Sequence, residues 1–501
     1  MLRNIGSNWA LTLVTIAATY VITPFVIRKL GQDGYGTWTL ITAMTGYMSL
    51  LALGVPMACV RYLSQHVAEG DSRAMNKAIG SCVGLYLMVG VAALAIGAAL
   101  TVAFALYDVP QTLRGQARVA FMVMVIQVSV GFIGLLPEGI MFAHHQFVVR
   151  NVVRVGAVLL RLVLTIGLLS MNASLVVLAA IQLVCLLFDF TVSMLLIRHR
   201  YPAVRITLAD FDWAMVRRIF SFSMYVLLLS AGARLSFETD ALVIGAVLGV
   251  GAIGFYAVAN SLVVYLMEFT IAIAAVVAPM TTKLSTEGRV PELREMFLKW
   301  SKVSLSISLM AGLFLVVLGP RFIGWWIDPS YERPAGVVLQ ILMISSLAFL
   351  PVRGVALPIL MGLGKPKKAT IAFVLAGLAN LVLSLALARP LGLAGVALGT
   401  AIPNVAFAAV VLDVACRELE IPIATYLRYV VPRAMLGAIP PLALLLWIKL
   451  RIGVEHLAGF IASGSAMMVL FGLVWVFFVY RHDPYVELVP RLGRPRAWSR
   501  A

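Results

Sequence analysis

SNWALTLVTIAATYVITPFVIRKLGQDGYGTWTLITAMTGYMSLLALGVP, residues 7–56, decides the fold class. Two apolar runs flank a short polar turn at residues 28–34. Each reaches the roughly 20 residues that a helix needs to cross the hydrocarbon core of a bilayer. Backbone in lipid must satisfy its own polar groups, so a spanning run of this kind is a helix. The stretch therefore reads as a membrane hairpin, over 7–27 and 36–57. Its basic start mimics a secretory signal, but the run is too long and has no small-residue cleavage site. It is read as a retained first span.

The pattern continues along the chain. Of 501 residues, 62% are hydrophobic and 12% charged, whereas soluble domains carry about a quarter charged residues. A water-soluble chain is excluded. The sequence predicts an all-α integral membrane protein with about fourteen transmembrane helices. They lie near 7–27, 36–57, 79–106, 117–142, 150–171, 174–197, 219–247, 255–280, 301–319, 335–362, 368–388, 392–415, 429–449 and 457–480. Cys59, Cys82, Cys185 and Cys416 sit in apolar stretches without ligand spacing, and read neither as disulfides nor as a metal site.

The net charge is +17. In a soluble protein it would suggest nucleic acid; here it follows from loop placement. With the N-terminus inside, the inner segments hold about three times as many Lys and Arg as the outer ones, Lys302 among them. Both termini are therefore expected in the cytoplasm, and no nucleic-acid partner is expected. The long inner segment 201–218 divides the first twelve helices. The expected organisation is an N-terminal six-helix bundle (1–200), a cytoplasmic linker (201–218) and a C-terminal six-helix bundle (219–420). Helices 13 and 14 (421–480) and a basic cytoplasmic tail (481–501) follow. A short surface helix is expected in the linker, with Asp210 as its cap.

Three basic residues fall inside expected spans: Arg161, Arg234 and Arg353. A charge at mid-bilayer costs about 2.5–3.5 kcal/mol on insertion scales, so each should face a partner or a wet cavity. Arg150, Arg154 and Arg161 share one helix face within about 40° and climb about 16 Å. They read as a track for an anionic head group, because guanidinium forks suit phosphate oxygens. The plainer reading makes Arg150 and Arg154 interfacial anchors and leaves only Arg161 in need of a partner. In RLSFETDALVIG, residues 234–245, Arg234 and Glu238 are four apart and can pair. They read either as a cavity wall with an ion-coupling acid or as a static lock between helices. Asp240 points about 120° away from Arg234 and, near the outer end, reaches the interface. Glu268 is a lone acid in an apolar helix, and so a titrating group or a partner for Arg234. Arg353 lies between Pro351 and Pro358, next to Gly354. A helix broken in this way must be buried or line water, and a broken helix is a binding-site feature of transporters. Asp189 is a weaker case of the same kind. Glu138 and Asp413 read as interfacial, and His144 and His145 as solvated loop residues.

Catalytic and energising motifs are missing. GLGKPKK, residues 362–368, approaches a phosphate loop but lacks its Ser/Thr and follows a membrane span. No HExxH, no GxSxG and no metal cluster occurs. No outer loop is large enough for an active site. Neither an ATP-driven pump nor an enzyme is expected, and no catalytic residue, metal or cofactor is assigned.

Three stretches carry a family resemblance. TPFVIRKLGQDGYGTWTLITAMTGYMSLLALGVPMACVRYLS (23–64), SFETDALVIGAVLGVGAIGFYAVAN (236–260) and MGLGKPKKATIAFVLAGLANLVLSLALARPLGLAGVALGTAIPN (361–404) resemble the polysaccharide biosynthesis, or lipid-linked oligosaccharide flippase, family. That family belongs to the superfamily that also holds multidrug and toxin extruders. The likeness spans most of the first twelve helices. It implies two six-helix bundles around a central cavity, plus two C-terminal helices. It implies movement of a polyprenyl-diphosphate-linked oligosaccharide across the bacterial inner membrane by alternating access, for surface polysaccharide. Lipids are implied partners, with a polymerase and co-polymerase as further ones. Arg28, Arg61, Asp240 and the 362–367 segment are carried over because they stand in these stretches. Arg161, Arg154, Arg234 and Arg353 rest on position in the spans. Glu268, Glu238 and Asp240 are the ion-coupling candidates, and the residues leave open whether protons, sodium or neither drives the cycle. The rivals are a cation-coupled drug extruder of the same superfamily, which calls for an anionic cavity, and a non-transporting envelope-assembly scaffold or enzyme.

Overall fold

The computed structural model describes residues 2–52, 54–103, 107–219, 231–232, 234–235, 238–481 and 483–486. Among them regular structure is entirely helical. About half of the expected span 219–247, the last residues of span 79–106 and the basic tail beyond 486 lie outside the described residues.

Among the described residues eleven helices are long and apolar enough to cross a membrane. Two of them each run through two expected spans. Helix α1 (Leu2–Met48) bends at Gly31, whose φ of 72° and ψ of 177° break the helical path. The polar turn read at 28–34 is thus a bend rather than a loop. Only a residue without Cβ holds such a geometry cheaply. The same device recurs at Gly392, at φ 59° and ψ −140°.

The chain divides into two compact units. The first holds residues 1–258 and 373–400, and the second the rest. After α1, the first unit contains α2 (Val55–Glu69), α3 (Ser72–Ala103), α4 (Gln111–Ala143), α5 (Phe147–Met171), α6 (Leu175–Arg200) and α7 (Thr239–Val247). Helix α4 packs along α3 and α6, and α5 lies against α1 and α6. Leu40, Ile41, Ile79, Phe121 and Val125 are fully buried between these helices. This is how an apolar surface too wide for one helix face is used. One side packs on neighbours, and Val91, Val102, Val152 and Val163 stay exposed on the other, as a lipid-facing side requires.

Two sequence expectations change here. Cys59 on α2 and Cys82 on α3 form a disulfide, with Cα atoms 6.6 Å apart. Apolar surroundings did not exclude pairing, because adjacent packed helices bring the two residues into range. In the linker, Asp212 rather than Asp210 is the cap. Its Oδ1 accepts the Ala214 N–H at 2.8 Å, while Asp210 closes a short 3-10 turn, Leu208–Asp210. The linker is tied to α3, where Asn76 accepts the Arg205 N–H at 2.9 Å and donates to the Ala203 carbonyl at 3.1 Å.

Helix α8 (Val250–Thr286) begins in the first unit and continues in the second. The second unit adds α9 (Val290–Val317), α10 (Gly319–Trp326), α11 (Glu332–Pro351) and, past one widened turn, α12 (Leu357–Gly362). Helix α13 (Lys367–Glu418) has its middle in the first unit and its ends in the second. Then come α14 (Ile423–Val430), α15 (Pro432–Trp447) and α16 (Leu457–Val474). Helix α9 packs against α11 and α15.

Lys302, read as an inner-surface lysine, is only 1% exposed on α9. Its Nζ donates to Asp483 Oδ2 at 2.5 Å and to the Val479 carbonyl at 3.3 Å. It lies 4.6 Å from the centre of the Tyr429 ring. Asp483 Oδ1 also accepts the Tyr429 hydroxyl at 2.7 Å and the N–H groups of Tyr485 and Val486 at 3.0 and 3.1 Å. The last described residues are thereby clasped to the middle of the unit.

Candidate functional site

Helix α5 carries the first set of charges. Arg150 is 3% exposed and donates to both oxygens of Asp189 at 2.5 and 2.9 Å. It also reaches Glu138 at 3.4 Å, and Arg154 takes that same carboxylate at 2.9 Å. The expected basic track is therefore countered at its lower end. Glu138, read as interfacial, comes from α4 as a counter-ion, and Asp189 comes from α6. Arg161 lies two turns further along the same helix.

Two cavities adjoin at Arg161. One, of about 250 Å³, is lined by Thr19, Thr23, Tyr35, Trp38, Thr42, Arg161 and Gln182 among others. The second, of about 310 Å³, includes Thr15, Gln127, Arg154, Arg161, Gln182 and Asp189. Arg161 and Gln182 line both. Thr15 and Thr19 donate to carbonyls one turn back, each at 2.8 Å, which leaves their oxygens as acceptors. The walls thus combine a guanidinium, an amide, hydroxyl acceptors and the aromatic faces of Tyr35 and Trp38. Such a lining suits a charged and hydroxylated ligand. Gln182 and the threonines were not singled out in the sequence. Their signal is the four-residue spacing of Thr15, Thr19 and Thr23, which puts all three on one face of α1.

The second set lies at the start of α7. Arg234 and Glu238 pair as their spacing predicts, both half-buried. Arg234 Nη2 donates to Ser49 Oγ at 3.0 Å, and the Tyr47 hydroxyl donates to the Arg234 carbonyl at 3.2 Å. Glu238 Oε2 is buried without a hydrogen-bond partner. Gly46 of α1 makes this approach possible, since a Cβ there would strike that carboxylate.

Asp240 differs from its expectation. It does not reach an interface but is 3% exposed. Tyr256 donates to Oδ2 at 2.6 Å, and Thr400 donates to the two oxygens at 3.0 and 2.9 Å. Asn380 donates to Thr400 at 2.8 Å. All these partners are neutral hydroxyl and amide groups from α8 and the middle of α13. A carboxylate among hydroxyls is a hard-donor set, fit for a proton or a small hard cation such as sodium.

In the second unit the helix containing Arg353 is broken as read. Val352–Ala356 forms a single π-helical turn between α11 and α12, a widening common at functional sites. Arg353 lies 5.9 Å from the centre of the Phe349 ring. Thr270 of α8 packs on the turn at Gly354, where a Cβ would collide with its methyl. Glu268 itself is exposed. Arg28 and Arg61 are also exposed, Arg61 lying 5.9 Å from the Tyr62 ring. Neither lines the cavities at Arg161. The structure therefore joins Arg154 to Arg161 at one cavity and Arg234 to Glu238.

Among the described residues the chain is all-helical, with many apolar helices of spanning length around polar cavities, the make-up of a multi-pass membrane protein. The solved structures agree on the fold. The lipid II flippase MurJ, in an inward closed conformation, matches with a TM-score of 0.73 at 13% identity, over 94% of this chain and 99% of that one. An inward-facing multidrug resistance MATE family transporter of the MOP superfamily matches at 0.67 and 16% identity, over 82% and 98%. The sequence model of the polysaccharide biosynthesis protein family matches residues 1–285, and the chain belongs to that family. The membrane protein EpsK of Bacillus subtilis (strain 168), itself uncharacterized, is 22% identical over 409 residues, covering 80% of this chain and 79% of its own.

Proposed function

We propose that the protein is a flippase. It moves polyprenyl-diphosphate-linked oligosaccharide repeat units from the inner to the outer leaflet of the bacterial inner membrane, by alternating access, for a surface polysaccharide. In this reading there are fourteen spans with both termini cytoplasmic, and the chain does no covalent chemistry. Membership of the polysaccharide biosynthesis family supports the class of cargo. The observation that carries the reading is Arg161, a guanidinium lining two polar cavities inside the first unit, with Arg154 at one wall. A diphosphate is too strongly hydrated to cross lipid unaided. Arg161 replaces part of its water, Gln182 and the threonine oxygens meet sugar hydroxyls, and the prenyl chain stays in lipid. Arg234 and Arg353 are further cationic candidates for the head group. Asp240, held by Tyr256 and Thr400, takes up the proton or sodium ion that drives the return step, with Glu238 and Glu268 as subsidiary acids. A polymerase and co-polymerase are the downstream partners.

The test is a host strain lacking the gene, with polyprenyl-linked oligosaccharides extracted from inside-out and right-side-out membranes. Full-length repeat units are expected on the cytoplasmic leaflet only, and the wild-type gene restores both leaflets. Arg161→Ala removes hydrogen bonds to a charged group, worth about 1.5–3 kcal/mol, so flipping is expected to fall roughly 10- to 150-fold. Normal distribution in the deletion strain, with no second flippase present, would sink the reading. Drug sensitivity of that strain would then point to the extruder.

A further inference from the structure

Arg150 and Arg154 stand one turn apart on α5, yet the acids around them hold the two unequally. Arg150 has a partner of its own. Its Nη1 and Nη2 meet the two oxygens of Asp189 at 2.5 and 2.9 Å, and its side chain is only 4% exposed. Arg154 gives Nη2 to Glu138 Oε2 at 2.9 Å, and 44% of its side chain is exposed. Glu138 is shared, because the same oxygen also takes Arg150 Nη2 at 3.4 Å. Two guanidinium groups and two carboxylates thus form one fixed pair and one loose pair.

The loose pair belongs to a cavity. Arg154 lines the second cavity together with Arg161, Gln182 and Asp189, whereas Glu138 is not part of that wall. A guanidinium carries five N–H groups, so an incoming anion can be met before the bond to Glu138 is given up. The acid released by that step is not stranded. Stripping a buried charge of its only partner is strongly destabilising, but Arg150 Nη2 already stands 3.4 Å from Glu138. Drawing that contact to an ordinary length takes a shift of about half an ångström. The opposite cost is covered too. Without an acid beside it, Arg154 would be an open charge in an apolar bundle, which is expensive, and free to capture any phospholipid head group. Glu138 therefore has two places to go, and Arg154 has two partners to choose from.

We propose that Glu138 is a positioning residue that holds Arg154 in reserve. It stands in for the head group's phosphate while the cavity is empty, yields Arg154 when the diphosphate enters, and falls back on Arg150. This rests on reading the cavity at Arg161 as the diphosphate site. The test uses full-length protein in maltoside detergent, with farnesyl diphosphate titrated in by calorimetry. Four forms are compared: wild type, Glu138→Gln, Arg154→Gln and the double variant. Glu138→Gln removes the competitor and is expected to bind about three- to tenfold more tightly, as a competent state that is no longer tied up does. Arg154→Gln is expected to bind at least about tenfold more weakly, having lost a hydrogen bond to a charged group. In the double variant the gain from Glu138→Gln should vanish, so that it binds like Arg154→Gln alone. Where Glu138→Gln does not accumulate folded, Glu138→Asp, one carbon shorter, takes its place and shifts affinity in the same direction. Glu138→Gln binding no better than wild type would overturn the proposal and leave the transport reading intact. So would an equal gain with Arg154 absent, which would show a general field effect in place of an exchange. A wild type that binds no farnesyl diphosphate would remove the proposal and the diphosphate site together.

Discussion

Asp240 in the first unit and Asp483 in the second are both nearly inaccessible, at 3% and 4% exposure, yet they are held in opposite ways. Asp483 has a lysine at 2.5 Å, a phenol and two backbone N–H groups. Its charge is cancelled by a permanent part of the chain. Asp240 has a phenol and a threonine, and its partners carry no charge. Under the proposed function, what neutralises it comes and goes. A buried acid with a resident cation is a fastening, and one with only neutral donors is, in that reading, a place for a mobile cation. Burial alone, or a span carrying a charge, does not separate the two.

The sharpest way to break this contrast is Lys302→Ala. It leaves Asp483 buried and uncompensated, for an expected loss of about 3–5 kcal/mol, seen as a large fall in the unfolding temperature in detergent. The double change Lys302→Met with Asp483→Leu should regain most of that loss. A neutral Lys302→Ala would show that the pair fastens nothing. Asp240→Asn should do the reverse. The fold survives, while the dependence of transport on a proton or sodium gradient drops on the order of 5- to 150-fold, measured in vesicles with imposed gradients. Unchanged ion dependence would remove Asp240 from the coupling site. Tyr256→Phe deletes one neutral donor and is expected to cost about 0.5–1.5 kcal/mol, read as weaker ion dependence at the same maximum rate. The smallest effects belong to Arg28→Ala and Arg61→Ala. Both side chains are exposed, and stability should stay within about 0.5 kcal/mol, with leaflet distribution near wild type.

The membrane class was legible because span length and apolar periodicity are local properties. So were the Arg234–Glu238 pair, which is one helical turn, and the break at Arg353, which two prolines announce. What stayed hidden depends on helices distant in sequence. Glu138 and Asp189 close onto Arg150 across 12 and 39 residues. Thr400 reaches Asp240 across 160. His144 looked like a solvated turn residue until Tyr201 stacked on it. Lys302 looked like a surface lysine because its partner lies beyond the last long span. A single chain states which residues are costly to bury, but the packing decides which neighbour lowers that cost.

The clasp at Lys302 also has a meaning in time. Its two charges are 181 residues apart, and at about 5–20 residues per second the ribosome needs roughly 10–40 s to make that interval. Through it the lysine sits in a nascent bundle with no acid to meet. Any chain cut short before Asp483 stays in that state permanently. A quality-control protease that senses an unpaired buried charge would therefore have a means of telling finished chains from interrupted ones, and Lys302 is where it would look.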